Sequence, residues 1–364
     1  MTSRIAIIGA GAGGAAAAAE LSLAGHDIVL WSRSADTLRP FIDRGGVEYD
    51  GVLGEGFIRP RLITTELGRA VAGADAVLVC LPTMAHGNVA RALAEAGLGS
   101  AVPVVLNPGH TGGALEFEHA FRAVRTNAPP IAAFATLTYV ARKYRPAQVT
   151  ISGKAKRIRV AALPGGAAAL AAAQALFKSA LPVADVLDCD LSNVNLVLHP
   201  PGAVLGAAWI EARKGDFTFY VDGMTPGVAR VMQALDDERR AVGRAFGHQL
   251  LPLVAEMRAI GTVEESVTDL HDLVGAIAGG AANRRIKAPD SLAHRYYLED
   301  FGYGLVPFLA YARVAGITVP VAQSLLRLGA TLTGRDFSAE GRTAERMGIA
   351  GLDAAQLLAR VRGP

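Results

Sequence analysis

Glycines recur near the start of the sequence in a spacing that lets a backbone bind phosphate groups. The run GAGAGG at residues 9–14 follows the β-branched stretch Arg4–Ile8 and precedes an alanine-rich stretch at residues 15–23. This order of strand, G-x-G-x-x-G turn and helix is typical of a dinucleotide-binding βαβ unit. The alternative is a glycine turn that serves packing only. We favour dinucleotide binding because a second strand, Asp27–Trp31, follows in the expected order.

Each position of this turn has its own physical role. Gly9 permits the tight turn, Gly11 lets the backbone approach a pyrophosphate, and Gly14 lets the helix pack closely on the strand. The helix predicted over residues 15–23 offers free N–H groups at its N-terminus and the positive end of its dipole to the phosphates. We therefore expect Gly9, Gly11, Ala12 and Gly14 to bind the cofactor.

The end of the second strand bears on the choice between NAD and NADP. An NAD-specific enzyme usually carries an acidic residue there, which binds the ribose 2′-hydroxyl. This sequence has Ser32, Arg33 and Ser34 instead, and an arginine can pair with a 2′-phosphate through two hydrogen bonds. We predict that NADP(H) is preferred, with NAD(H) left open. In the alternative, Arg33 is a solvated loop residue and the nearby Asp36 or another group binds the hydroxyl.

Polar and aromatic residues also recur in the second half of the chain. Asn195 and His199 are four residues apart, which places an amide and an imidazole on one face of a helix. Further segments follow: WIE at 209–211, GDFTFY at 215–220, GMTP at 223–226, LDDER at 235–239, HRYYLED at 294–300, GLVP at 304–307, GRDF at 334–337 and EGRT at 340–343.

These segments resemble the NAD/NADP-dependent opine dehydrogenase family, that is, the octopine and nopaline dehydrogenases and their bacterial relatives. The resemblance covers nearly the whole chain. It is most specific in the N-x-x-x-H-P, G-D-F-x-F-Y, R-Y-x-x-E-D and G-R-D-F elements, which occur in family order. It implies that an amine or amino acid is coupled to a 2-oxo acid such as pyruvate, while NAD(P)H supplies a hydride.

The resemblance also implies a catalytic pair, His199 and Asp300, and a cofactor contact at Arg295. Imidazole titrates near neutral pH, so it can donate and recover a proton in each turnover. A carboxylate on its other nitrogen would fix the tautomer and stabilise the imidazolium. We place Asn195 on the same face, where it could orient the substrate or the nicotinamide carboxamide. Both members of the pair are expected to face the nicotinamide.

Each of these residues also has a purely structural interpretation. His199, which precedes two prolines, could cap or pack a helix end. Asp300 could be a helix N-cap or an ion-pair partner of Arg295, and Arg295 could belong to a surface ion pair.

The sequence departs from the family pattern at two places. Residues 133–135 are Ala-Phe-Ala where opine enzymes tend to carry a glutamate, and residues 205–206 are Leu-Gly where they carry an asparagine. Both changes lower polarity near the expected substrate region. Since polar groups decide discrimination against wrong ligands, we expect a less polar amine or a smaller acceptor, and the amine donor stays open.

Weaker signals follow other predicted strands. Leu81 and Pro82 end a strand at the carboxyl edge of the sheet, so their backbone is expected to flank the cofactor. His110, after the next strand, is a further candidate for a substrate or cofactor contact. Arg142, near Tyr139, could bind a substrate carboxylate or could lie on the surface.

The elements that must position these residues divide the chain into two domains. Residues 1–185 alternate strands with alanine-rich helices, which predicts an α/β Rossmann domain with a doubly wound parallel sheet. The expected strands are Arg4–Ile8, Asp27–Trp31, Ala76–Leu81, Pro103–Leu106 and Ile131–Thr136. Antiparallel strands Gln148–Ser152 and Lys156–Ala161 are expected to close the sheet edge, before a helix at Ala167–Leu181.

Residues 186–364 predict an all-α domain. Helical periodicity covers Ala229–Phe246, Leu250–Ile260, Leu305–Val314 and Val319–Leu332. Prolines are expected at helix starts or connections, at positions 200, 201, 226, 252, 289 and 320.

Composition excludes several other classes of protein. The 364 residues carry 36 basic and 33 acidic side chains, interspersed along the chain, so nucleic acid is not an expected partner. No stretch is typical of a membrane span or a secretory signal. Cys80 and Cys189 lack metal-ligand spacing, so we predict no metal site and a cytoplasmic protein. A homodimer is left open.

Two other functions remain as alternatives. One is a 2-oxo acid reductase of the ketopantoate reductase type, although no lysine is evident at the N-x-x-x-H position. The other is a non-catalytic NADP(H)-binding sensor.

Overall fold

The computed structural model describes residues 2–281 and 283–363 and divides into two compact units. The first unit combines the chain up to Gly109 with Gly113–Val186. The second combines His110–Gly112 with the chain from Leu187 onward. A three-residue loop between a strand and a helix of the first unit therefore packs with the second.

The first unit alternates strands with helices. Its strands are β1 (Arg4–Ile8), β2 (Asp27–Trp31), β3 (Val47–Gly51), β4 (Gly56–Ile58), β5 (Leu62–Thr64), β6 (Ala76–Val79), β7 (Val104–Leu106), β8 (Ile131–Phe134), β9 (Tyr139–Arg142), β10 (Gln148–Lys154), β11 (Ile158–Ala162) and β12 (Ala180–Pro182). Its helices are α1 (Ala12–Leu23), α2 (Ala35–Arg44), α3 (Leu67–Val71), α4 (His86–Glu95), α5 (Gly113–Arg122) and α6 (Ala167–Leu176).

The main sheet confirms the predicted doubly wound α/β fold. Its eight strands run in the order β12-β11-β8-β7-β6-β1-β2-β5, and all neighbours are parallel except β8 and β11. The strand order reverses at β1, which pairs with β2 on one side and β6 on the other. In open α/β sheets, ligands bind beyond the carboxyl ends of the strands at such a reversal.

The prediction that Gln148–Ser152 closes the main sheet was wrong. β10 lies in a separate four-stranded sheet, in the order β4-β3-β10-β9, and only β11 joins the main sheet, antiparallel to β8. The reason lies in α1, where Ala15–Ala19 are all fully buried. These five consecutive alanines point to all sides of the helix, so this part of α1 must be covered on every side, and β3, β9 and β10 contact the helix.

The predicted helix at Ala167–Leu181 was also too long. It ends at Leu176, and Ala180–Pro182 forms the edge strand β12 beside β11. Proline is tolerated on an edge strand, where its missing N–H breaks no ladder hydrogen bond.

The second unit is helical, as predicted. Its helices are α7 (Val186–Leu191), α8 (Asn195–Leu205), α9 (Ala207–Arg213), α10 (Pro226–Ala245), α11 (Leu253–Ile260), α12 (Leu273–Gly279), α13 (Arg295–Asp300), α14 (Val306–Val314), α15 (Pro320–Thr333), α16 (Phe337–Glu340) and α17 (Ala354–Arg362). Helix α8 contacts α10, α13 and α15, so it lies at the centre of the unit. Among the residues described, no helix combines the length and apolar character needed to span a bilayer.

Two of the proline predictions were wrong. Pro226 and Pro320 begin helices, but Pro200 and Pro201 lie inside α8. Each lacks an N–H to donate within the helix, which lowers the intrinsic stability of α8. Both prolines are buried, so the packing of the surrounding helices stabilises the element.

Candidate active site

The glycine-rich turn between β1 and α1 has no room for side chains at two of its glycines. A Cβ on Gly9, which has a φ of +123°, would lie 2.3 Å from the carbonyl oxygen of Cys80. A Cβ on Gly14 would lie 1.7 Å from the carbonyl oxygen of Gly9. The tight turn and the close helix packing therefore both require glycine.

Gly11 and the start of α1 fit a dinucleotide pyrophosphate. A Cβ on Gly11 would meet no atom within 4 Å, so the backbone faces open space. Helix α1 begins at Ala12 with no side-chain cap and no acidic residue in its first turn. Its first N–H groups, which have no partner within the helix, point toward the place where phosphates would bind. Leu81 borders the turn, because its Cδ2 lies 3.0 Å from the Cβ position of Gly9, and the exposed Pro82 follows it.

The segment after β2 presents a cation at the surface. Arg33 is exposed and, within the described residues, forms no ion pair or hydrogen bond. The Ser34 hydroxyl caps α2 by accepting from the Thr37 N–H at 3.3 Å, and its own proton remains available to an anion. The side chain of Asp36 is 92% exposed and lies 3.9 Å from Arg39. Both Arg33 and Asp36 are thus accessible to a ribose substituent, and Ser32 lies beside them.

The structure brings His199 and Asp300 together in the second unit. His199 Nδ1 lies 2.6 Å from Asp300 Oδ2, and both residues are buried. His199 sits in the middle of α8 and Asp300 ends α13, which packs against α8. Because an ionised carboxylate only accepts hydrogen bonds, Nδ1 carries a proton and donates it. The chemistry of proton exchange is therefore left to Nε2.

Two tyrosines complete the surroundings of the imidazole, and sequence reasoning assigned neither of them a role. The Tyr220 hydroxyl lies 2.8 Å from His199 Nε2. The Tyr296 ring stacks on the imidazole, with centroids 3.7 Å apart and planes inclined by 15°. Tyr296 precedes Asp300 by one helical turn on α13, so the i, i+4 rule could have placed both on one face. Tyr220 lies in a loop, where no periodicity signals its direction.

Local irregularities position these side chains. Asp300 is followed by a π-helical turn, Phe301–Leu305, which leads into α14. Pro307, in the first turn of α14, has no N–H to continue regular α-helical hydrogen bonding. A Cβ on Gly202 would lie 2.6 Å from the Phe219 ring, so this glycine lets Phe219 pack on α8 beside His199.

His110 is held in the second unit as a neutral imidazole. Asn193 Oδ1 accepts from the Asn195 N–H at 3.1 Å, which turns the Nδ2 of Asn193 toward His110 Nδ1 at 3.1 Å. An amide nitrogen only donates, so Nδ1 is the acceptor and Nε2 carries the proton. Burial lowers the pKa of His110 to about 4; the positive charge of Arg342 acts in the same direction and Asp300 opposes it.

Asn195 and Arg295 lie close to the pair along the chain. Asn195 begins α8 one turn before His199, and its side-chain amide forms no hydrogen bond with the described residues. Arg295 begins α13 and is 60% exposed, and its Nε lies 3.9 Å from Glu299. Both side chains are accessible, and their assigned roles stay predictions.

Other candidates are engaged elsewhere or lie on the surface. The Tyr139 hydroxyl donates to Glu20 of α1 at 2.7 Å. Arg142 ends β9 and is exposed, with Nη1 donating to the carbonyl oxygen of Ala141. No cluster of three or more His, Cys, Asp or Glu side chains that could hold a metal ion occurs in residues 2–281 and 283–363.

Two family models match different parts of the chain. Residues 5–165 match the model of ketopantoate reductase PanE/ApbA. Residues 182–333 match the model of the α-helical domain of NAD/NADP octopine/nopaline dehydrogenase.

Relatives and solved structures match the whole chain. An opine dehydrogenase from Arthrobacter sp. (strain 1C) is 34% identical over 363 residues, which cover 98% of both proteins. The structure of an octopine dehydrogenase in complex with NADH and agmatine has a TM-score of 0.78 at 21% identity, covering 100% of this chain and 98% of the other. The NADP⁺-bound structure of yersinopine dehydrogenase has a TM-score of 0.75 at 16% identity, with coverage of 100% and 98%.

The neutral state of His110 predicts a pH dependence of stability. The pKa of His110 is about 4 in the folded chain, against an ordinary value of 6.5. As the pH falls from 6.5 toward 4, the unfolded chain therefore binds a proton that the folded chain does not. The free energy of unfolding falls by about 3 kcal/mol from this group over that range.

The variant His110→Asn should make this fall less steep, and asparagine tolerates the positive φ of 55° at this position. The measurement is denaturant unfolding at a series of pH values. His119→Asn, at an exposed position of α5, is the control. An unchanged slope in His110→Asn would show that His110 is not held neutral.

Proposed function

Because the chain belongs to the opine dehydrogenase family, we propose that it joins the amino group of an amine or amino acid to a 2-oxo acid and reduces the imine that forms. It is an NAD(P)-dependent oxidoreductase that acts on CH–NH bonds. The observation that carries the proposal is the buried 2.6 Å hydrogen bond between His199 Nδ1 and Asp300 Oδ2. A protein that only senses the nucleotide would gain nothing from a buried pair built for proton transfer.

The reaction forms one carbon–nitrogen bond and releases one water. The amine nitrogen attacks the carbonyl carbon of the 2-oxo acid, the carbonyl oxygen leaves as water, and a hydride adds to the same carbon. Bound NAD(P)H supplies that hydride. His199 accepts a proton from the substrate ammonium group and returns a proton to the departing oxygen, while Asp300 orients the ring and stabilises its charged form.

The proposed cofactor contacts follow from the first unit and from the family. The pyrophosphate contacts are Gly9, Gly11, Ala12 and Gly14, the 2′-phosphate contacts are Ser32, Arg33 and Ser34, and Leu81 and Pro82 flank the dinucleotide. Arg295 is the proposed further contact to the phosphates, and its exposed guanidinium supports this role. The exposed and unpaired Arg33 supports a preference for NADP(H).

The substrate classes are an amine or amino acid and a small 2-oxo acid. The octopine dehydrogenase of similar fold was solved with the amine agmatine. In this chain, alanines at positions 133 and 135 and the Leu205-Gly206 pair lower polarity relative to the family pattern, which favours a less polar amine. Asn195 is proposed to orient the substrate or the nicotinamide. The cytoplasmic location and the homodimer stay predictions from the sequence.

The function is tested by following NADPH oxidation with three substrate sets. These are pyruvate with a panel of amines and amino acids, pyruvate alone, and no substrate. We expect oxidation only when both substrates are present. Oxidation with pyruvate alone would instead identify a 2-oxo acid reductase. This alternative is considered because residues 5–165 match the ketopantoate reductase model. Saturable NADPH binding without any turnover would identify a sensor.

His199→Ala should abolish turnover in this assay while leaving NADPH affinity nearly unchanged. Losing a general acid and base lowers rates by about 10²- to 10⁴-fold. The measurements are the rate of NADPH oxidation and the Kd from nucleotide fluorescence. His119→Ala, at an exposed position, is the matched control. A near-normal rate in His199→Ala would remove the proposed role.

Arg33→Ala should weaken NADPH binding by about tenfold or more and change NADH binding little. A hydrogen bond to a charged group contributes about 1.5–3 kcal/mol, and only NADPH carries the 2′-phosphate. Arg39→Ala, an exposed arginine on the adjacent helix α2, is the control. Equal losses of affinity for both nucleotides would rule out the 2′-phosphate contact.

A further inference from the structure

The two nitrogens of His199 are both engaged. Nδ1 contacts Asp300 at 2.6 Å, and Nε2 contacts the Tyr220 hydroxyl at 2.8 Å. The nitrogen that must exchange a proton with the substrate therefore faces a phenol. Tyr220 must therefore either be displaced during the reaction or carry the proton itself.

The Tyr220 hydroxyl has a second partner. It shares a hydrogen bond with Tyr296, whose ring stacks on His199. Tyr220 is 5% exposed and Tyr296 is 6% exposed. His199, Tyr220 and Tyr296 thus form a buried chain of proton-carrying groups.

The direction of these hydrogen bonds depends on the charge of His199. When the imidazole is neutral, Nε2 has no proton, so the Tyr220 hydroxyl donates to it. When the imidazole is charged, Nε2–H donates to the Tyr220 oxygen, and the Tyr220 proton is released toward another acceptor. When His199 becomes charged, the Tyr220 hydroxyl can therefore donate its proton to a group other than His199.

The loop that carries Tyr220 is anchored on both sides. The Phe219 N–H donates to the carbonyl oxygen of Ile286 at 2.9 Å, and Thr218 forms a bridge with Lys287. On the other side, Asp222 Oδ2 accepts from the Thr218 N–H and hydroxyl at 2.8 and 2.7 Å. The Phe219 ring packs directly against Gly202 of α8. A residue held in this way is suited to carrying a proton rather than to swinging aside.

We propose that Tyr220 is a catalytic residue, and that His199 exchanges its proton with the substrate through the Tyr220 hydroxyl. Tyr296 is a positioning residue that orients this hydroxyl. The proposal rests on the proposed function, because it names the path of the proton that His199 delivers.

The step is balanced without a further reactant. As the departing oxygen of the amine–oxo acid adduct accepts the Tyr220 proton, the Nε2 proton of the imidazolium moves to the Tyr220 oxygen. The adduct loses water, His199 becomes neutral, and Tyr220 is again a phenol. Burial, together with Tyr296, raises the pKa of Tyr220 well above its usual value, so the phenolate does not accumulate. We therefore expect both protons to move in one step.

Tyr220→Phe tests the proposal, because it keeps the ring and removes the hydroxyl. We expect the rate of NADPH oxidation in a single turnover, with both substrates present, to fall about 100-fold, and the Kd for NADPH to stay within twofold. Tyr296→Phe keeps the stacked ring, so we expect a fall of less than tenfold. A rate for Tyr220→Phe within threefold of the wild-type value would overturn the proposal.

Tyr297→Phe is the matched control. Tyr297 is the next residue of α13, is fully buried, and donates its hydroxyl to the carbonyl oxygen of Ala203 at 2.7 Å. Tyr297→Phe therefore removes a buried tyrosine hydrogen bond from α13, the helix that also carries Tyr296, and leaves His199, Tyr220 and Tyr296 unchanged. We expect its rate to stay within twofold of the wild-type value. A fall for Tyr220→Phe no larger than that for Tyr297→Phe would contradict the assignment.

A second readout uses the unmodified enzyme and does not depend on how the variants fold. The single-turnover rate is measured in mixtures of H₂O and D₂O. Two protons moving together give a bowed plot of rate against the deuterium fraction. A straight line, or no solvent isotope effect, would contradict the two-proton step.

The outcomes separate this proposal from the proposed function. An inactive His199→Ala with a fully active Tyr220→Phe rejects the relay alone. Full activity in both variants rejects the proton-transfer role of His199 as well.

Discussion

The structure of the second unit depends on one buried hydrogen bond, between the imidazole of His199 and the carboxylate of Asp300, residues 101 positions apart in the chain. A buried carboxylate loses several kcal/mol of hydration free energy, and only a well-placed donor offsets that loss. The Nδ1–H of His199 is such a donor at 2.6 Å. The packing of α8 against α13 must therefore hold the two side chains in contact, because separating them would leave an uncompensated charge in the interior.

The sequence of helix α8 favours the contact between His199 and Asp300 over the intrinsic stability of the helix. Its two interior prolines remove N–H donors, and Gly202 gives up a side chain so that Phe219 can pack closely. Other elements compensate: the Tyr297 hydroxyl donates to the Ala203 carbonyl oxygen, and α10, α13 and α15 pack around the helix. The π-helical turn after Asp300 is a comparable irregularity in the partner helix. The helices that carry His199 and Asp300 are therefore both irregular near these two residues, where side-chain position matters most.

The parts that the sequence predicted well are those set by local rules. The glycine-rich turn could be recognised because Gly9 and Gly14 are required by backbone contacts within one βαβ unit. The placement of β10 could not be predicted, because it follows from the need to cover the buried alanine stretch of α1 on every side, which is a tertiary effect. Tyr296 was within reach of the helical spacing to Asp300, whereas Tyr220 comes from a loop whose direction is decided by distant contacts with Ile286 and Lys287.

The two family models match two parts of the chain, and these parts carry different chemical groups. The first half matches a ketopantoate reductase model, and the groups that we propose to bind phosphates there are general ones: glycines, helix N–H groups and a surface arginine. The second half matches the octopine/nopaline dehydrogenase model, and it contains His199, Asp300 and the two tyrosines. Backbone N–H donors recognise the charge and shape of the phosphate groups, and many dinucleotide-dependent enzymes bind the same phosphate groups. Substitutions at these proposed phosphate contacts should therefore change nucleotide affinity, whereas substitutions at His199 or Asp300 should change the rate of the chemical step.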